Sequence, residues 1–170
     1  LAPLLLLSAL LAACSSLSPE EEEQLEDFRL RATQYYESDD LARAEQQAVR
    51  GLALDPEHAE LNHILGRTLL KYQDPRHVIA AIGYLEKAYE LDPKYRTAYS
   101  LGECRLRLAE LRVKRAVTLD LTSSELGPGE AEGQEELAGR AEKLRAAAVE
   151  DLLLAEEYLL IARESDSDNI

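Results

Sequence analysis

The sequence predicts an all-α protein built from helical hairpins that stack in a row. Alanine, leucine, glutamate and arginine, all good helix formers, dominate the 170 residues, and segments rich in β-branched residues are few. Residues 51–56 read GLALDP and residues 88–93 read AYELDP, so that Pro56 and Pro93 lie 37 residues apart. A repeat of this length indicates similar helical units in succession, each ended by its proline.

Composition narrows the functions that such a stack can have. The apolar fraction of 46% is sufficient for a buried core. The net charge of -14 argues against a nucleic-acid partner and against adsorption to anionic lipid, because both carry negative charge. Met is absent and position 1 is Leu, so we expect the natural reading frame to begin upstream.

The first element, residues 1–13, is apolar and uncharged but too short to span a bilayer, and its length fits the hydrophobic region of a signal peptide. The residues that follow it, Leu11-Ala12-Ala13-Cys14, resemble the bacterial lipobox. This resemblance implies cleavage before Cys14 and a diacylglycerol on its sulfur. The alternatives are an ordinary secretory signal or a buried helix, with Cys14 incidental in either case.

Residues 14–18 are predicted to be a short lipidated tether. Ser15 follows the cysteine, and in Gram-negative lipoproteins a non-acidic residue there is compatible with outer-membrane sorting. We therefore expect a lipid-anchored protein of the cell envelope, in the outer membrane and facing the periplasm. Ser18, Pro19 and the acids after them predict an N-cap, a proline at the first helical position and the start of a helix near Pro19.

Matched outward from the two prolines, residues 19–58 and 59–93 resemble two tetratricopeptide repeats (TPRs). The residues of the first that carry the resemblance are Phe28, Tyr35, Ala44 and Pro56. Those of the second are Leu65, Gly66, Ala81, Leu85, Ala88 and Pro93. Small residues at such positions let antiparallel helices approach closely, and the large residues fill the space between them. The resemblance implies a TPR-type helical hairpin solenoid and binding of a protein or peptide.

The third unit, residues 94–170, is irregular. Ala98, Leu101 and Gly102 resemble the start of a first helix, and a glycine-rich loop is predicted at 122–134. The end of the chain then resembles a second helix in which Ser167 replaces the proline. The third repeat therefore carries an insertion that lengthens both of its helices, and we expect the chain to stop where a fourth repeat should begin.

No catalytic residues, metal ligands or cofactor site are predicted. His58 and His63 are five residues apart, off a common helix face, and His77 has no partner at zinc-ligand spacing. No glycine-rich loop has the frame of a phosphate-binding motif. Cys104 lies in a helical pattern and is interpreted as a small core residue rather than as a reactive thiol or a metal ligand. We therefore predict a protein that is not an enzyme.

The resemblance places partner contacts on the first helix of each repeat, which lines the concave groove of TPR proteins. The corresponding positions are Glu26, Arg29, Thr33, Tyr36 and Glu37; Glu60, His63, Arg67, Leu70 and Lys71; and Arg96, Tyr99, Glu103, Leu106 and Arg107. Of these, the predicted partner-binding residues are Arg29, Thr33, Tyr36, His63, Arg67, Lys71, Arg96 and Tyr99. Arginines would contact carboxylates and tyrosines would give amphipathic contacts. A wall with no such preference is the alternative.

One chaperone-binding group of TPRs needs asparagines in this wall, where Thr33 and Arg67 stand here, so that function is not supported. The prediction is a membrane-anchored adaptor or scaffold of the bacterial envelope. One alternative is a structural subunit of a pilus, secretion or outer-membrane biogenesis assembly, self-associating into a homo-oligomer through apolar clusters at 152–154 and 159–161. Another is an enzyme domain encoded beyond residue 170.

Overall fold

A computed structural model describes residues 17–127 and 129–167. The predictions for the signal peptide and for Cys14 lie outside this range. The described elements are all helices: α1 (Pro19–Glu37), α2 (Leu41–Leu54), α3 (Ala59–Lys71), α4 (Pro75–Leu91), α5 (Tyr95–Glu125) and α6 (Ala131–Ser167). None of these helices combines the length and the hydropathy that crossing a membrane requires.

The helices pack as three consecutive hairpins, α1 with α2, α3 with α4 and α5 with α6. The first helix of each later hairpin also packs on both helices of the hairpin before it, so that α3 meets α1 and α2, and α5 meets α3 and α4. Each hairpin therefore contacts its neighbours in sequence, as in a solenoid. The predicted all-α, TPR-type hairpin solenoid is confirmed.

The start of α1 is a capping box. Ser18 Oγ accepts a hydrogen bond from the Glu21 backbone N at 3.3 Å, and the Ser18 backbone N donates to Glu21 Oε2 at 2.8 Å. Pro19 occupies the first turn, where the missing N–H is harmless. The bonds from the Ser18 backbone and side chain lower the pKa of Glu21, which keeps its charge beside the positive end of the helix dipole.

The second and the third hairpin each contain a close contact between a glycine of the first helix and a leucine of the second helix. A Cβ built on Gly66 of α3 would lie 2.6 Å from Leu85 Cγ of α4, and one built on Gly102 of α5 would lie 2.6 Å from Leu159 Cγ of α6. In both hairpins the space is too small for a side chain, which explains why glycine stands there. The third hairpin is thus packed as a repeat, although its helices are 31 and 37 residues long.

The connection between α5 and α6 is shorter than the predicted loop at 122–134, because it spans only residues 126–130. Thr122 and Ser124 are helical, and their hydroxyls donate to the carbonyls of Thr118 and Leu121 within the same helix. Across the tip, the Gln134 amide donates to the Leu126 carbonyl at 2.8 Å. The polar side chains that predicted a loop therefore make their hydrogen bonds within the hairpin.

A buried ionic network joins the last three helices. Asp151 of α6 is 2% exposed, and its Oδ2 lies 2.6 Å from Arg112 Nη1. Its Oδ1 lies 3.3 Å from Arg105 Nη1, and Arg105 Nη2 is also 2.6 Å from Glu86 Oε1 of α4. Two cations therefore compensate the buried carboxylate, and the network aligns α5 with α6 and with α4.

Cys104 is fully buried in the core between the second and third hairpins, as expected for a small core residue. Burial, together with the charge of Glu103, raises the pKa of its thiol to about 12. A thiol with this pKa is almost entirely protonated at neutral pH and is a poor nucleophile.

Candidate functional site

The first helices of the three hairpins, α1, α3 and α5, lie side by side, because α3 packs against both of the others. All eight predicted partner-binding residues lie on these helices, and we call this surface the inner wall. It consists of Arg29, Thr33 and Tyr36 on α1, His63, Arg67 and Lys71 on α3, and Arg96 and Tyr99 on α5.

The seam between α1 and α3 brings two cations onto one aromatic ring. Arg67 Cζ lies 5.1 Å and Lys71 Nζ lies 4.6 Å from the centre of the Tyr36 ring. Lys71 Nζ is also 2.6 Å from Asp39 Oδ1, in the turn after α1. Tyr36 also packs against the core, so its ring offers Arg67 and Lys71 a fixed position.

Asp39 was not predicted from the sequence, because it lies outside the periodic helix positions. Its φ of 62 is in the left-handed region, as is the φ of 61 at Gln73 in the equivalent turn after α3. Gln73 Oε1 accepts from Arg107 Nη2 at 3.2 Å, so each of these turn residues contacts a basic side chain of the next first helix. This repeated contact aligns adjacent helices of the inner wall.

Arg29 and Thr33 make contacts within the protein. Arg29 donates to Glu26 Oε2 of the same helix at 2.7 Å and to Glu60 Oε1 of α3 at 2.9 Å. These acids, the hydrogen bond to Glu26 above all, raise the pKa of Arg29. Thr33 Oγ1 donates to the Arg29 carbonyl at 3.0 Å. The structure thus makes Arg29 a bridge between α1 and α3, and its guanidinium is already paired.

The seam between α3 and α5 centres on His63. Its Nδ1 lies 3.0 Å from Thr97 Oγ1, a contact that the periodic positions did not reveal. Burial, followed by the positive charges of Arg67, Arg96 and Lys94, lowers the pKa of His63 to about 4. His63 is therefore neutral at physiological pH.

Two cavities open along this wall. The first has a volume of about 170 Å³ and lies over the seam between α3 and α5. Its lining residues are Ala59, Glu60, His63, Ala88, Asp92, Lys94, Arg96 and Thr97. The second has a volume of about 280 Å³ and lies at the C-terminal end of α3, beside residues 103–110 of α5. Its lining residues are Leu70, Gln73, Glu103, Leu106, Arg107 and Glu110. Tyr99 is 51% exposed on α5 between them.

In the described part of the chain, no three His, Cys, Asp or Glu side chains are grouped so that they could hold a metal ion. His77 pairs with Asp74 at the start of α4, and His58 Nδ1 accepts a hydrogen bond from the Leu61 N at the start of α3. The wall offers arginine and lysine donors, a neutral histidine and two tyrosine rings.

The architecture defines the class of the protein, a TPR-like solenoid of three helical hairpins. No protein-family model matches the chain, and no curated protein matches it. A similar solved structure is the TPR2B domain of yeast Sti1, described as a TPR2B-domain:pHsp70 complex. It is 22% identical, the match covers 72% of this chain and 99% of that chain, and the TM-score is 0.47.

Proposed function

We propose that the protein is a membrane-anchored adaptor or scaffold of the bacterial cell envelope whose inner wall binds an acidic segment of a partner protein. The observation that carries this proposal is the cavity at His63, where Arg96 and Lys94 line the wall with Glu60 and Asp92, and Arg67 lies on the Tyr36 ring next to it. A positive surface attracts negatively charged peptides.

The residues of the inner wall have different roles in this proposal. Arg67 stacks on Tyr36, which orients the guanidinium without using its N–H groups, so these can donate to a carboxylate of the partner. Arg96 and Tyr99 present a charge and a ring one helix further on, beside the cavity at His63. Arg29 is held by Glu26 and Glu60 and therefore supports the wall instead of contacting the partner directly.

Binding of this kind requires no cofactor and no reacting group, so the proposal includes no catalysis. A hydrogen bond to a charged group contributes about 1.5–3 kcal/mol, and two or three such bonds on a peptide are enough for a useful affinity. The net negative charge makes nucleic acid an unsuitable partner, since its phosphates would be repelled by most of the surface.

A membrane anchor would localise this wall. The lipobox-like Leu-Ala-Ala-Cys at 11–14 supports acylation of Cys14, and Ser15 supports placement in the outer membrane, facing the periplasm. Each methylene that enters the bilayer contributes about 0.8 kcal/mol, so two or three acyl chains hold the protein durably. Because α1 begins at Pro19, only a few residues would separate the solenoid from the lipid.

Peptide arrays test the binding proposal. Acidic peptides rich in Asp and Glu are compared with the same peptides in which Asn and Gln replace these residues, so that shape is kept and charge is removed. We expect the full chain to prefer the acidic set, and Arg67→Glu to weaken that binding about tenfold or more. Arg50→Glu is the matched control, because Arg50 is an exposed arginine of α2 outside the wall.

Equal binding of the acidic and amide peptides would contradict the proposed charge recognition. The anchor is tested separately, by expressing the full reading frame and its Cys14→Ala variant in a Gram-negative host. We expect labelled palmitate and outer-membrane fractionation for the natural sequence only. If both versions fractionate identically with membranes, the lipid anchor is absent.

A further inference from the structure

The cavity over the seam between α3 and α5 has a titratable ring in its wall. His63 is half-buried on α3 and lines this cavity, and its Nδ1 lies 3.0 Å from Thr97 Oγ1 of α5. A neutral imidazole has one N–H group, and a charged imidazolium has two. A hydroxyl both donates and accepts, so Thr97 can contact His63 in either charge state.

Charged side chains face this ring from every element that lines the cavity. They are Glu60 and Arg67 on α3, Asp92 after the end of α4, and Lys94 and Arg96 at the start of α5. Burial first, and then the three cations, lower the pKa of His63 to about 4 in the protein without a ligand. The ring is therefore held neutral by its surroundings, although its ordinary pKa lies near neutral pH.

The two acids of the cavity are paired with other cations. Glu60 Oε1 lies 2.9 Å from Arg29 Nη1 of α1, and Asp92 forms an ion pair with Lys94. A carboxylate of a ligand that enters the cavity adds a further negative charge beside His63. An opposite charge within about 4–6 Å favours the charged form of a titratable group, so this ligand opposes the effect of the three cations.

We propose that His63 takes up a proton when the inner wall binds an acidic segment, so that the affinity for this segment rises as the pH falls. The inference rests on the proposed function, because it needs an acidic ligand in the cavity. The proton comes from solvent and binds the ring nitrogen that is unprotonated in the neutral form. The imidazolium then attracts the carboxylate and has a second N–H to donate.

The size of the effect follows from proton linkage. A histidine in its ordinary state has a pKa of about 6.5, and a ligand that cancels the lowering at His63 restores this value. At about pH 5.5 the bound state then carries the proton and the free state does not, whereas at about pH 7.5 both are neutral. Binding becomes about tenfold tighter at the lower pH. Asp and Glu of the ligand stay ionised throughout, since their ordinary pKa is about 4.

Isothermal titration calorimetry of the full chain with the synthetic peptide Asp-Glu-Asp-Glu-Asp-Glu tests the proposal. Titrations are made at about pH 7.5 and about pH 5.5, each in two buffers with different ionisation enthalpies, so that Kd and the number of protons taken up are both measured. We expect a Kd about tenfold lower at pH 5.5, with about one proton taken up per complex at that pH and almost none at pH 7.5. Circular dichroism confirms that the chain is folded at both pH values.

Two histidine variants assign the proton. His63→Gln keeps a polar side chain without a titratable ring, so the proton uptake and most of the change in Kd should disappear. His77→Gln is the matched control, because His77 is a partly exposed histidine at the start of α4, outside the inner wall. It should keep the behaviour of the wild type. The proton count of the wild type tests the proposal even if His63→Gln does not fold.

The possible failures are distinguishable. Equal Kd values at the two pH values, or no proton uptake at pH 5.5, would overturn this inference and leave the binding of acidic segments intact. The same pH dependence in His63→Gln and the wild type would assign the proton to other groups, and would overturn the inference as well. If the peptide binds at neither pH, the proposed function fails, and the role of His63 fails with it.

Discussion

Replacing Gly66 by alanine tests the close packing on which each hairpin depends. The added Cβ would lie 2.6 Å from Leu85 Cγ, 3.0 Å from Leu85 Cδ2 and 3.1 Å from the Ala81 carbonyl O. Leu85 is 0% exposed and cannot turn outward into solvent, so Leu85 or the helices α3 and α4 must shift. Overpacking of this kind costs about 1–3 kcal/mol, and alanine returns about 1 kcal/mol as the better helix former. We expect a net loss of up to about 2 kcal/mol.

The matched control is Gly83→Ala in α4, where a Cβ would meet nothing within 4 Å. The same chemical change should there stabilise the protein by about 0.5–1 kcal/mol. Gly102→Ala should fall between the two, because Leu159 is only partly buried and its side chain can shift. The assay is thermal and urea unfolding of the full chain, followed by circular dichroism at the helix band.

For a chain of this size, each kcal/mol moves the melting temperature by about 2–4 °C, so a stability difference of about 0.5–3 kcal/mol should separate Gly66→Ala from Gly83→Ala by about 1–12 °C. The expected order of stability is Gly83→Ala, wild type, Gly102→Ala and then Gly66→Ala. If Gly66→Ala stabilised the protein as much as Gly83→Ala does, the helices would not be in the close contact described, and the equivalence of the second and third hairpins would lose its basis.

Three further predictions concern ionisable groups. Because the pKa of His63 is lowered to about 4 in the folded state, the unfolded chain takes up a proton at this residue first as the pH falls. The contribution of His63 to the free energy of unfolding is therefore complete above about pH 6.5 and is lost toward pH 4. The urea midpoint should fall less between these two pH values for His63→Gln than for the wild type. An equal fall in both proteins would refute this contribution. Cys104 should resist iodoacetamide in the native chain at neutral pH and react once guanidinium unfolds it, as located by peptide mass spectrometry; rapid native labelling would contradict its burial. Asp151→Asn should destabilise the chain by about 3 kcal/mol, because Arg105 and Arg112 lose their shared carboxylate. The control is Asp120→Asn, which removes a half-exposed pair with Arg145 and should cost less than about 1 kcal/mol. Similar urea midpoints for the two variants would show that the buried network contributes little to stability.

The sequence by itself determined the helical class, the repeated hairpins and the start of α1. These features depend on signals that act within about one helical turn. Ser18 caps the helix that Pro19 begins, and apolar residues at helical spacing mark the buried faces. The roles of Gly66 and Gly102 could also be predicted, because a small residue at a helix crossing lets the two helices of each repeat pack closely.

Local signals failed at the tip of the third hairpin. Thr122, Ser123 and Ser124 resemble loop residues, yet all three belong to α5, which ends at Glu125. Whether such hydroxyls leave a helix or bond back to its carbonyls depends on the neighbouring helix. Here Ser123 Oγ also donates to the Gln134 carbonyl of α6 at 3.1 Å, and this contact could not be read from the composition of the segment.

The tertiary structure alone decided which partners the polar and charged residues of the wall and the core contact. Arg29 pairs with Glu60 from 31 residues away, His63 meets Thr97 from 34 residues away, and Arg105 meets Asp151 from 46 residues away. These partners belong to different helices, and a periodic pattern places a side chain on a face without naming what lies across from it. Burial and electrostatic energy both depend on that opposite surface. For this reason the positions of the wall residues on α1, α3 and α5 could be predicted from the sequence, whereas the neutral state of His63 and the pairing of Arg29 required the folded chain.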